Sequence, residues 1–278
     1  MSTLQPDLRV SDRIQSASTG PLLGKVTGGP AVELREHGYV VRLARTQEEV
    51  EAAMRLRYEI FNLELGEGLA ESEATGMDKD RFDAHCHHLL LMPEGSDEVV
   101  GTYRMQTRAM AQAGEGWYCD TEFELDALGD AALDLGVELG RACVSLKHRG
   151  GAALFALWRG VIRYCVMREA RYIFGCCSLT STDPETGRLA DAWLRGRGKF
   201  NTKFNVPVRP NYSCGEQPVE PAELEAFSLP RLFASYVRYG SLPCSGPALD
   251  LEFGTVDFLV VFDMEDVEPR LRRLLFGD

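Results

Sequence analysis

The chain has 278 residues, 45% hydrophobic and 26% charged, proportions ordinary for a globular enzyme. Lys and Arg total 30 against 42 Asp and Glu, a net charge of −12, which argues against a general binder of nucleic acid or anionic lipid. No apolar run approaches the ~20 residues that span a bilayer.

The N-terminus scatters Asp7, Arg9, Asp12 and Arg13 where a secretory signal would hold an unbroken apolar core. A flexible tail over 1–30 and a cytoplasmic location are expected. "YVVRLAR" (39–45) alternates as a strand does. Thr46 and Glu49 then form a capping box that opens a helix running to about Glu64. Val50, Ala53, Met54, Ile60 and Phe61 set its apolar stripe, and Arg57 lies on that same stripe. A polar, Gly-containing segment ends in "DKDRFDAHCHH" (78–88). "HLLLM" (88–92) and "EVVGTYRMQTR" (98–108) read as a strand pair joined by the turn "PEGSD", with Arg104 inside the second strand.

A short mixed segment (121–128) precedes the buried strand 137–145, which contains "VELGRACV". An amphipathic helix over about 152–170, the buried strand "YIFGCCSL" (172–179), a helix near 184–197, a basic turn (195–203), a helix near 230–239 and the strand "DFLVVFDM" (257–264) complete the chain. Strands and helices alternate, so the class is α/β or α+β with a mixed sheet. The core spans about 39–205 within one domain over 31–278, with a C-terminal extension from about 205. Cys143, Cys165, Cys176 and Cys177 fall in apolar runs and read as small buried hydrophobes of a reducing compartment.

Six charges sit in apolar surroundings: Arg57, Asp80, Asp83, Arg104, Glu138 and Arg141. One reading is a structural ion-pair network, the other a catalytic cleft. Buried ion pairs add little stability over hydrophobic replacements, so stability alone is a weak reason to keep three. Glu138 and Arg141 are three apart, which puts them on opposite faces of a regular strand. A β-bulge would return both to one face, and Gly140 is the natural place for it. It would also expose backbone N–H groups to a ligand.

"LRYEIFNLELG" (56–66), "DKDRFDAHCHHLLL" (78–91), "VVGTYRM" (99–105), "ELGRACV" (138–144) and "IFGCCSL" (173–179) resemble the bacterial N-acyltransferases that make ornithine lipids. These enzymes belong to the GNAT superfamily, with long-chain N-acyl amino acid synthases and, more distantly, acyl-homoserine-lactone synthases. The set Arg57 with Phe61, Asp80 with Asp83, Arg104, and Glu138 with Arg141 matches their pattern, and "PRLFASYVRYGSLPCSGPALDLEFGTVDFLVV" (230–261) is similar to their C-terminal part. The resemblance implies a twisted, mostly antiparallel sheet splayed at its fourth and fifth strands, with the acyl thioester arm lying in the split.

The same resemblance implies an amide-forming reaction with no cofactor and an acyl thioester as co-substrate. "SLKHRGGAAL" (145–154) matches the family's coenzyme A pyrophosphate loop only partly, which suits a donor on acyl carrier protein. The backbone and side chains of Cys143, Val144, Lys147, His148, Arg149, Gly150 and Gly151 are the expected pantetheine and carrier contacts. Arg159 and Arg163 extend that basic face toward an acidic carrier protein; a merely solvated helix face is the alternative.

An amine attacks a thioester only when unprotonated. Glu138 is the expected general base, directly or through a water. Arg104 or Arg57 would clamp the amino acid carboxylate, with Asp80 and Asp83 orienting that arginine and attracting the substrate's cationic side chain, and Arg141 beside them. Backbone N–H groups of 142–144 would receive the oxyanion. Ornithine is the favoured acceptor; another amino acid or amine keeps the chemistry, and a non-catalytic acyl- or carrier-binding module is the reading from a different class. In "HCHH" (85–88), His85 and His87 share one strand face and Cys86 and His88 the other, so no metal site is assigned. "RLRRLLFGD" (270–278) is amphipathic and basic: a docked terminal helix, or a peripheral contact with the inner membrane.

Overall fold

A computed structural model describes residues 32–277; the expected tail over 1–30 lies outside them. One mixed sheet organises the chain. Its strands are β1 (Glu33–Glu36), β2 (Tyr39–Leu43), β3 (His87–Pro93), β4 (Gly101–Thr107), β5 (Gly136–Val144), β6 (Tyr172–Leu179), β7 (Leu242–Pro243), β8 (Ala248–Asp250) and β9 (Thr255–Asp263). They are ordered β1-β2-β3-β4-β5-β6-β9-β7, with β8 also paired to β9. Only β5 and β6 run parallel. The hairpin strand β1 has no expected counterpart, so the strands expected as fourth and fifth are the fifth and sixth here.

The helices are α1 (Gln47–Tyr58), α2 (Arg108–Ala113), α3 (Asp130–Asp134), α4 (Gly151–Met167), α5 (Pro184–Gly196), α6 (Pro221–Ala226), α7 (Arg231–Arg238) and α8 (Pro269–Phe276). Thr46 caps α1 by accepting from the Glu49 N–H at 3.3 Å. The expected continuous helix to Glu64 ends sooner: from Glu59 to Leu65 the turns widen into a π-helix that stops at Gly66, φ 69°. That widening carries Phe61 and Glu64 toward the far end of β5.

Alternation along the strands splits the sheet into two faces. Tyr103, Met105, Val137, Leu139, Ala142 and Val144 pack with α4, whose Ala153, Leu157, Val161 and Cys165 are fully buried. Arg104, Gln106 and Glu138 point to the opposite face, where α1 lies. The parity of β5 changes between Leu139 and Ala142, the mark of an inserted residue. Thr102 pairs with Cys143 but Arg104 with Gly140, two residues against three. Arg141, not Gly140, takes the left-handed conformation, φ 51°. A non-glycine residue held there costs about 1–2 kcal/mol, and the ion pairs of its guanidinium, described below, hold it.

β5 and β6 pair only over Gly136–Glu138 with Tyr172–Phe174. At the next rung a Cβ on Gly175 would overlap the Leu139 carbonyl oxygen, so glycine alone permits the close approach. Beyond it the strands part: β5 continues against β4, while β6 stays paired to β9 along its length. The sheet is therefore splayed where the resemblance places the opening. Residues after 205 supply β7, β8 and β9. At the other end of the sheet α8 packs against α4, with Leu275 buried.

Candidate active site

The six expected charges gather on the α1 face, and a seventh joins them. Arg57, fully buried, donates from Nε to Asp78 at 3.0 Å and from Nη1 and Nη2 to Asp83 at 2.8 and 3.1 Å. Arg104 Nη1 reaches both oxygens of Asp80 at 2.6 Å and Asp83 at 3.2 Å. Arg141 Nη2 donates to Asp80 at 3.0 Å, and its Nε lies 3.2 Å from Asp78. Three guanidinium groups thus face three carboxylates, and the cluster is neutral, so Asp80 and Asp83, expected to attract a cationic side chain as well, are instead balanced by the arginines. Burial alone would raise the Asp83 carboxyl, but Arg57 and Arg104 outweigh it and hold it well below the usual carboxylate range. Asp78 is lowered in the same way, by Arg57 and Arg141 against burial. Asp78 gave no signal in the sequence, because a lone Asp in a polar loop looks solvated until the chain folds it under α1.

This geometry sorts the arginines. Each Arg57 nitrogen already donates to Asp78 or Asp83 and the side chain is fully buried, so of the two arginines expected as a carboxylate clamp it is the one engaged within the cluster. Arg104 keeps Nη2 without a hydrogen-bond partner, beside Gly140, where a Cβ would stand in ordinary contact at 3.8 Å. Tyr118 stacks between the two outer arginines, its ring centroid 5.3 Å from the Arg104 and 5.1 Å from the Arg141 guanidinium carbon. Phe253 covers Arg141 at 4.4 Å and meets the expected Phe61 edge-on at 5.5 Å.

Glu138 stands apart from the arginines, which corrects the expected pairing with Arg141. Its Oε1 accepts from Cys119 N at 2.7 Å; Oε2 accepts from Gln106 Nε2 at 2.6 Å and from Tyr118 N at 3.0 Å. Three N–H donors fix the carboxylate where β5 and β6 part, and Oε1 keeps a lone pair for one more donor. Gln106 and the 118–119 backbone were not legible as site components; Gln106 sits two residues from Arg104 and so shares its face, which is the one available clue.

The expected thioester contacts divide. Cys143 is buried behind the bulge with Leu56, Ile60 and Phe61, and burial pushes its thiol up to about 12, so a thiolate nucleophile is not on offer. The Val144 carbonyl accepts from Arg149 Nε at 3.0 Å, and the rest of the Arg149 guanidinium forks onto Glu64. His148 Nδ1 bonds the Tyr39 hydroxyl at 3.1 Å on the other face, and Arg159 lies 3.5 Å from Glu36. Lys147 and Arg163 are exposed. Gly150 and Gly151 open α4 with empty space around both and no side-chain cap, leaving first-turn N–H groups free to meet a ligand. In "HCHH", His87 turns to Tyr164 at 2.8 Å and His88 to the Asp83 carbonyl at 3.2 Å, on opposite faces of β3. Burial lowers both imidazoles, His87 to about 4.

A parallel pair splayed past a bulge, with an uncapped helix following the bulged strand, is the arrangement of an N-acyltransferase of GNAT type. The acetyltransferase (GNAT) domain family matches residues 56–159. The L-ornithine N(alpha)-acyltransferase of Rhodobacter capsulatus is 31% identical over 250 residues, 84% of this chain and 93% of that protein. The protein of the same name from Brucella abortus is 30% identical over 257 residues, 88% and 91% of the two chains. A solved N-acyl amino acid synthase from uncultured soil microbes is 13% identical, covering 82% of this chain and 91% of that one at a TM-score of 0.48. The chain belongs to the L-ornithine N(alpha)-acyltransferase family, and it is an acyltransferase whose co-substrate is an acyl thioester. No helix among the described residues is long and apolar enough to cross a membrane.

Proposed function

We propose that this enzyme moves a 3-hydroxy fatty acyl group from acyl carrier protein to the α-amine of L-ornithine, with the reacting atoms at the mouth of the β5/β6 splay. The observation that carries this reading is Glu138. It is an immobilised carboxylate with a spare lone pair, placed where a thioester entering the splay meets the neutral arginine cluster. The names of the curated relatives support ornithine as acceptor.

The α-ammonium of the acceptor gives a proton to Glu138, directly or through a water, and the freed amine attacks the thioester carbonyl carbon. The carbonyl π electrons move onto oxygen, where backbone N–H groups of 142–144 on the edge of β5 left open by β6 receive the charge. Collapse expels the carrier thiolate, which takes the second proton from the attacking nitrogen, leaving a neutral amide, while Glu138 returns the first proton to solvent. Arg104, through its unspent Nη2, holds the acceptor carboxylate. Arg57, Arg141, Asp78, Asp80 and Asp83 fix that guanidinium in place.

Exposed Lys147 and Arg163 favour an acidic carrier protein as donor over coenzyme A, while the open first turn of α4 suits the phosphate of either donor's pantetheine arm. Exposed Leu63 and Leu251, on the segments that carry Phe61 and Phe253, give the splay an apolar rim for a lipid tail and for peripheral contact with the inner membrane. The test supplies purified protein with 3-hydroxyacyl carrier protein or its coenzyme A analogue and a panel of amino acids, reading thiol release and acyl amide mass. Amide with ornithine, faster from the carrier, is the expected result. No thiol release with any acceptor would overturn the reading and favour a binding module.

A further inference from the structure

On the same sheet face as Glu138, further into the splay, lies a second buried charge cluster that the chemistry above does not use. Glu122 is fully buried, Asp257 is 3% exposed and Asp250 is 7% exposed. Asp257 on β9 and Cys176 on β6 point to this face, because Ser178 pairs with Asp257 and Cys176 with Leu259. Cys176 Sγ reaches Glu122 Oε1 at 3.7 Å, and one ligand atom each from Glu122, Cys176 and Asp257 all lie within 4.8 Å of one another. The cluster adjoins the active site directly: Cys119, whose N–H holds Glu138, has its sulfur 3.6 Å from that of Cys176.

The two clusters differ in one respect. The first balances three carboxylates with three arginines. Among the described residues, no Lys, Arg or His pairs with Glu122, Asp250 or Asp257. Asp250 spends Oδ1 on the backbone N–H groups of Glu252 and Phe253 at 2.9 and 3.0 Å, and Asp257 Oδ2 accepts from the Thr255 hydroxyl at 3.2 Å. Glu122 Oε2 and Asp257 Oδ1 are both buried with no donor inside ordinary hydrogen-bond geometry; the two carboxyls face each other, with the Ser178 hydroxyl beside Asp257. Such groups cost roughly 1–3 kcal/mol each and are rarely retained without a role. Burial and the neighbouring acids accordingly push the Glu122 carboxyl well up and that of Asp257 to about 6.

We infer that the buried Glu122–Asp257 pair receives the cationic side chain of the acceptor amino acid, so that these two acids select an ammonium-bearing acceptor over an apolar one. The inference rests on the proposed reaction for the identity of the acceptor, and deepens it by naming what reads the side chain. An acceptor whose carboxylate lies on Arg104 and whose α-amine lies on Glu138 directs its side chain along the Cys119–Cys176 wall toward these two acids. An ammonium there supplies N–H donors to Glu122 and Asp257 and the positive charge that lets both acids ionise. An apolar side chain of equal length leaves both oxygens unpaired, the situation in which a polar site discriminates most strongly.

The experiment compares ornithine with norvaline, which has the same three-carbon side chain but only a hydrogen where ornithine carries its δ-ammonium, by turnover with acyl carrier protein and by calorimetric binding. Wild type is expected to prefer ornithine by at least about 100-fold in kcat/KM, and Glu122→Gln and Asp257→Asn to bring the ornithine-to-norvaline ratio down toward unity, chiefly through KM. Equal use of both acceptors by wild type, or an unchanged ratio in both variants, would overturn the inference and leave the acyl transfer standing. If no acceptor turned over yet ornithine still bound more tightly than norvaline, and Glu122→Gln removed the difference, the acyl transfer would fall and the ammonium site would stand. The preference of wild type is readable even if a variant misfolds. Stoichiometric zinc in the purified protein, absent from both variants, would overturn the inference in favour of a metal on Glu122, Cys176 and Asp257.

Discussion

Replacing Asp83 with Asn tests whether the arginine cluster stands on charge balance. Asp83 accepts from Arg57 at 2.8 and 3.1 Å, from Arg104 at 3.2 Å and from the Asp80 N–H at 2.8 Å, all away from solvent. Asn keeps the shape but turns an NH2 toward a guanidinium and leaves three positive groups facing two carboxylates. Breaking a buried pair by removing one partner costs about 3–5 kcal/mol, which at ~2–4 °C per kcal/mol for a chain of this size lowers Tm by roughly 10 °C. Arg57→Met with Asp83→Asn removes one charge of each sign. The double variant should therefore be more stable than the two single losses added together predict, by about 1–3 kcal/mol. Asp83 titrates lower in the folded protein than in the unfolded chain, so its contribution is present above pH ~4 and is lost as pH falls toward its folded value. The acid limb of the stability profile should accordingly be shallower in Asp83→Asn than in wild type. Urea and thermal melts followed by circular dichroism, at pH 7 and down an acid series, read all three effects. A loss below about 1 kcal/mol for Asp83→Asn, or strict additivity in the double variant, would refute the argument.

Glu138→Gln should keep the far-ultraviolet spectrum of wild type and lower kcat about 10²–10⁴-fold; a drop of less than tenfold would take Glu138 out of the proton transfer. Gly175→Ala pushes a methyl into the Leu139 carbonyl at the last shared rung of β5 and β6 and should cost about 1–3 kcal/mol in urea melts; a neutral result would mean the strands are not in contact there. Asp257 has the opposite pH sign to Asp83. Its carboxyl titrates near 6 when folded against ~3.9 unfolded, so wild-type stability falls as pH rises between those values. Asp257→Asn should then match wild type near pH 4 and exceed it at pH 8 by up to about 3 kcal/mol. Denaturant melts at the two pH values decide it, and a variant less stable than wild type at pH 8 would contradict an uncompensated charge.

Periodicity and local chemistry carried much of this protein in the sequence. The capping box at Thr46, the buried strands at 87–93, 136–144 and 172–179, and the out-of-place Arg57, Arg104 and Arg141 were all legible, because an alternation or a helical stripe is a property of neighbours along the chain. So was the need for a bulge between Glu138 and Arg141, though its position moved by one residue. A sequence offers glycine as the relaxed choice for a left-handed residue, whereas the fold stabilises Arg141 there through ion pairs that it alone assembles.

What tertiary structure decided was partnership. Asp80 and Asp83 could be named from the sequence, but that Asp78 completes the set, that every Arg57 nitrogen is engaged and that Arg104 Nη2 is not follow from packing α1 over β4 and β5. Glu138 looked like the partner of Arg141 and instead answers to Gln106 and to the backbone of Tyr118 and Cys119. Glu122 and Asp257, 135 positions apart, carry no local signal at all, since each is an ordinary acid until the fold buries the 119–122 turn against β6 and β9. Local free energies along the chain write the elements, while the cost of burying a charge is set by whatever lies across the fold from it.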